Sequence, residues 1–152
     1  MRAHYFLTVV VFLLSASETA HAAPACDANV AGAPLKAIIA ADNKGDIAAA
    51  MTHYAADPVW LPPTRLPLRG RAAVEASYRK MYGEFAPALS IDIDDTKAGG
   101  DVAVVHGRTH GTLQSRAKKD AVTVGDEFEA VVLCDEGAWR VDSLRWWPQG
   151  KK

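Results

Sequence analysis

His106, Arg108 and His110 alternate along the chain, and alternate residues of an extended strand share one face. Glu127 or Glu129, from a neighbouring strand, can join that row. Histidine titrates close to neutral pH, so a His set among such partners can act as a general acid or base. The row has two readings: the polar floor of a pocket, or the solvated outer face of a sheet. The opposite parity, Ala103, Val105, Gly107, Thr109 and Gly111, is small rather than bulky and suits either. His106 and His110 with a Glu also have the spacing of a metal site. No Cys/His signature accompanies them, and no metal is expected.

Aromatic residues make a second set. Trp60, Tyr78, Tyr82 and Trp147, with Glu129, are expected to wall a pocket. Plain core packing is the alternative for each alone, but together they exceed what a small core needs. Buried Tyr and Trp also require partners for their polar ends. A small, partly apolar ligand follows from this reading. Trp139 reads as core, and Trp146-Trp147 puts one ring on each face of a strand. No Ser-His-Asp constellation, P-loop, dinucleotide glycine pattern or CxxC motif is present, so no cofactor is expected.

These side chains need elements to carry them. Leu35, Ile38 and Ile39 form a helical stripe that Lys44-Gly45 ends. Asp46 caps a second helix over Ile47 to Tyr54, which Asp57-Pro58 stops. Val59-Trp60-Leu61 reads as a short strand closed by Pro62-Pro63, with Thr64 at the turn. Gly70 precedes a third helix with the stripe Val74, Tyr78, Met81, Tyr82 and Phe85. After Pro87 the period becomes two, giving strands over Leu89 to Ile93, Val102 to Leu113, Val122 to Cys134 and Ala138 to Trp147. Three helices before an antiparallel meander is an α+β pattern, with the helices covering one face of a curved sheet as a cone.

The ends and the composition narrow the setting. Arg2, the apolar run Tyr5 to Leu14 and Ala20-His21-Ala22 read as a signal peptide over residues 1–22, so export to the periplasm or beyond is expected. Residues 23–33 read as a flexible arm, 34–148 as one domain and 149–152 as a tail. A net charge of −1 with no long basic block disfavours nucleic acid. No segment is apolar for long enough to span a membrane. Cys26 and Cys134 form a disulfide candidate in an oxidising compartment; a loose-tail Cys26 and a plain strand Cys134 are the alternative.

The order of landmarks carries a resemblance. Gly45-Asp46, Tyr54-Ala55-Ala56-Asp57, Leu61-Pro62-Pro63, Arg69-Gly70-Arg71, Gly107 to Gly111 and Gly137-Ala138-Trp139-Arg140-Val141 together resemble the nuclear transport factor 2-like superfamily, and within it the SnoaL-like branch. The resemblance implies a cone with a pocket, and a homodimer formed through the sheet. It does not choose among enzyme, binding protein and scaffold. Ketosteroid isomerases in this superfamily place a Tyr and a base Asp where this chain has Ile38 and Pro62. Limonene-epoxide hydrolases place Arg-x-Asp where it has Arg108-Thr109-His110. Three functions are therefore expected: a binder of a small, partly apolar molecule, an acid–base enzyme using His106/Arg108/His110, or a dimeric interaction module.

Overall fold

The structure is a computed structural model that describes residues 25–63 and 66–150. The expected signal peptide, the turn at Thr64 and the terminal Lys151-Lys152 lie outside the described residues. Helix α1 spans Ala33–Asp42, α2 Ile47–Met51 and α3 Arg71–Glu84. The strands are β1 Tyr54–Leu61, β2 Leu68–Arg69, β3 Phe85–Gly99, β4 Val102–Ser115, β5 Ala121–Asp135 and β6 Ala138–Pro148. They form one six-stranded sheet in the order β2-β1-β6-β5-β4-β3. The α+β class follows, with the helices against one face.

Local chemistry sets the helix ends. Pro34 enters α1 in its first turn, where its missing N–H costs nothing. Gly45 turns the chain with a φ of 66°, a left-handed conformation that suits glycine. The Asp46 carboxylate then accepts from the Ala49 N–H at 2.9 Å and starts α2. That helix ends at Met51, earlier than the run to Tyr54 expected from its alanines. Tyr54 instead opens β1, whose partner is β6: the Val141 N–H donates to the His53 carbonyl at 2.8 Å. Tertiary pairing overrides helix propensity here. Arg71 locks the junction, donating to the carbonyls of Met51, Tyr54 and Ala55. It thereby holds the first turn of α3 against the start of β1.

Most of the sheet is antiparallel, but β1 runs parallel to β6. Two bulges bend the long strands. In β3 the register slips between Ile93 and Asp95, and in β6 it passes from Val132↔Val141 to Val131↔Ser143. Asp142 is thus an extra residue, and beyond it the faces of β6 exchange. Val105, Phe128, Ala130, Val132 and Val141 form the buried inner face, against Leu35, Ile38, Val74 and Tyr78 of the helices.

The segment from Cys26 to Ala31 is pinned rather than loose. Cys26 is disulfide-bonded to Cys134, the Trp139 indole N–H donates to the Asp27 carbonyl at 2.8 Å, and Ala31 is fully buried. The arm expected over residues 23–33 is therefore part of the folded body from Cys26 onward.

Candidate functional site

Between the helices and the inner face of the sheet lies a cavity of about 220 Å³. Its walls are mostly apolar: Ile38 and Ile39 from α1, Met81 from α3, Ile91 from β3, Leu113 from β4 and Phe128 from β5. Trp60 and Tyr78 also line it. Their rings meet edge to face at 4.8 Å between centroids, and Trp60 meets Trp146 at 5.4 Å.

The polar groups of the cavity are few. Asp42, at the C-terminal end of α1, is its most buried acid, 6% exposed. It falls on the same stripe as Leu35 and Ile38, seven and four residues earlier, so the helix aims it inward. The Tyr82 hydroxyl donates to Asp42 Oδ1. Beside it the hydroxyls of Tyr54 and Tyr78 share a hydrogen bond of 3.0 Å. Burial pushes the Asp42 carboxyl up to about 6, and the phenols of Tyr82 and Tyr78 only partly pull it back. Burial also raises Tyr54, Tyr78 and Tyr82 far above the ordinary phenol range, so all three stay protonated. A carboxyl that titrates near neutral pH beside permanent hydroxyl donors is chemically able to take up or release a proton.

Asp126 is the second acid of the lining. It alternates with Val124 and Phe128 on β5 and so faces inward with them. Burial alone raises its pKa, and its carboxylate has no hydrogen-bonded partner among the described residues. Trp60 Nε1 is buried too, without a hydrogen bond of ordinary geometry among the described residues, and its N–H acts on the Tyr54 hydroxyl. Nothing in the sequence reading singled out Asp42 or Asp126. The available signal was an acid at an apolar position of a helical stripe in one case, and of a strand alternation in the other.

The histidine row lies elsewhere. His106, Arg108 and His110 have the parity opposite to Val105 and Thr109, and Val105 is fully buried, so the row faces outward. There it is paired across strands. His106 Nε2 is 2.9 Å from Glu129, Arg108 grips Asp94 with two hydrogen bonds, and His110 Nδ1 is 3.6 Å from Asp92. Glu129 belongs to this outer face and does not line the cavity. Trp147 does not line it either: the extra residue at Asp142 turns Leu144 and Trp146 inward and sends Trp147 outward, where its N–H donates to Glu127 at 2.8 Å. Tyr82 reaches the site through Asp42 rather than by lining the cavity. Ile38, where ketosteroid isomerases carry a Tyr, presents an apolar wall.

A SnoaL-like domain model matches residues 35–140 of the chain. No curated protein matches it. Among solved structures, a ketosteroid isomerase-like protein from Erwinia carotovora atroseptica superposes with a TM-score of 0.74 at 20% identity, covering 82% of this chain and 97% of that one. A nuclear transport factor 2-like superfamily protein from Salmonella enterica serovar Typhimurium gives 0.68 at 16% identity, over 79% and 89%. An NTF-2 like protein of unknown function from Shewanella oneidensis gives 0.62 at 23% identity, over 75% and 93%. At such identities the likeness is one of fold. With the family model spanning most of the domain, the chain belongs to the SnoaL-like domain family.

Proposed function

We propose that the protein binds one small, largely apolar molecule in the cone cavity, with its polar substituents turned toward Asp42 and Asp126. The observation that carries this is the cavity itself: apolar walls around a buried carboxyl held by Tyr82. A few polar groups converging in an apolar hollow is the usual form of a small-molecule site. At about 220 Å³ the space is smaller than the roughly 300–1,000 Å³ typical for drug-sized ligands, so a one- or two-ring molecule fits best.

A thermal-shift screen of small aromatic and alicyclic compounds tests the reading. A true ligand at a hundred times its Kd stabilises by about 2.7 kcal/mol. The shift should vanish in Ile91→Trp, which fills the cavity. A screen in which no compound shifts the transition would sink the proposal.

The raised pKa of Asp42 favours a second reading, an acid–base enzyme of isomerase or dehydratase type. Here Asp42, rather than His106/Arg108/His110, moves the proton, and the phenols beside it donate hydrogen bonds. For any substrate found, Asp42→Asn should abolish turnover while binding persists. Turnover that survives this change removes Asp42 from the chemistry.

Export and a homodimer remain part of the proposal. The Cys26–Cys134 bond supports an oxidising compartment. The outer face of the sheet, with Trp147 and the paired charges, is the surface offered for the second copy. Sedimentation of the oxidised protein at rising concentration tests that contact, and a strict monomer rules it out.

A further inference from the structure

The charges of the cavity are one-sided. Asp42 and Asp126 line it, and among the described residues no Lys, Arg or His does. The basic residues of the middle strands, His106, Arg108 and His110, stand on the other face of the sheet. An anionic ligand would therefore meet two carboxylates and no counter-charge. A neutral apolar ligand would strip water from Asp126, whose carboxylate has no hydrogen-bonded partner among the described residues, and offer nothing in return. An ammonium group supplies the missing charge and up to three donors. The rings of Tyr54, Trp60, Tyr78, Phe128 and Trp146 in the same lining add a surface on which a cation is further stabilised.

Resting on the reading of the cavity as a small-molecule site, we infer that its ligand is a small ring-bearing amine, held as the ammonium by Asp126 and Asp42 with its ring among the aromatic walls.

The test is a matched series on the oxidised protein by calorimetry at pH 7.5. Tyramine carries the ring and the ammonium. Tyrosol replaces the ammonium by a hydroxyl, and para-hydroxyphenylacetate replaces it by a carboxylate. Para-cresol carries no charged or polar tail and reports on the cavity alone. The expected order is tyramine at least tenfold tighter than tyrosol, and para-hydroxyphenylacetate weakest. Asp126→Asn should erase the advantage of tyramine over tyrosol while leaving tyrosol affinity within about threefold. The series on the unsubstituted chain stands without the variant. Tyrosol or para-hydroxyphenylacetate binding as well as tyramine overturns the inference and leaves the cavity reading intact. Failure of all three while para-cresol binds does the same. Silence from all four overturns both.

Discussion

The Tyr82 hydroxyl donates to Asp42 Oδ1, 40 residues earlier in sequence, joining the last turns of α1 and α3. One bond thereby fixes the most buried acid among the described residues at the wall of the cavity. Tyr82→Phe removes the donor and leaves the carboxyl desolvated. Its pKa should rise further above about 6, as read by carboxyl carbon NMR across a pH titration. The loss should cost about 1–3 kcal/mol, the range for a buried polar group deprived of its partner.

Asp42 also makes stability depend on pH. Its folded pKa, about 6, is above its ordinary value of 3.8. Between those values the folded chain holds a proton that the unfolded chain has released, so stability falls as pH rises through this window. The difference of about two units corresponds to about 3 kcal/mol. Asp42→Asn removes this dependence while its amide oxygen still accepts from Tyr82. Denaturation of both proteins from pH 4 to 8 should show the variant gaining on the parent as pH rises, with a plateau above about 7. Parallel curves would refute the assignment.

The bond between Cys26 and Cys134 closes a loop of 108 residues in sequence separation. In the chain-entropy account its removal costs about 4–5 kcal/mol. Cys134→Ser, or the parent in reductant, should melt well below the oxidised protein in calorimetry.

The outer row should be silent in cavity binding. Replacing His106 and His110 together by Ala breaks the contacts to Glu129 and Asp92, all partly exposed. Stability should fall by no more than about 1 kcal/mol. Affinity for any cavity ligand, measured by calorimetry, should stay within twofold.

Gly107 lies where β4 is pressed close to its surroundings. A Cβ there would lie 2.2 Å from the Asp92 carbonyl oxygen and 2.6 Å from Phe128 Cζ. Gly107→Ala must push Phe128, which lines the cavity. A loss of about 3 kcal/mol is expected in chemical denaturation, together with altered ligand affinity.

Much of this architecture was legible in the residues. Gly45-Asp46 announced a helix end and a cap because only a few residue types satisfy those backbone demands. The stripe Val74, Tyr78, Tyr82 announced which side of α3 is buried. The pairing of β1 with β6 was not legible, since no local signal ties Tyr54 to Val141. The direction of the histidine row was undecided because the opposite parity is built of small residues. The burial of Val105, with Phe128 and Ala130 facing it from β5, settles the matter only once the strands are paired. Trp147 was misplaced by one residue's worth of bulge at Asp142. Asp42 went unnoticed because an acid among apolar neighbours reads as a surface residue until the helix is seen packed.

The parallel pairing of β1 with β6 has a consequence for the life of the chain before it is folded. Residues 54–61 emerge early in synthesis, yet the strand that flanks them along most of their length is the last one made. The partner of Cys26 is also a late residue. Until residues 138–148 are present, the early helices and β1 lack the neighbour that completes the sheet. Contacts of such long sequence separation form slowly. Truncation before residue 138 would therefore leave β1 without the strand that joins it to the rest of the sheet.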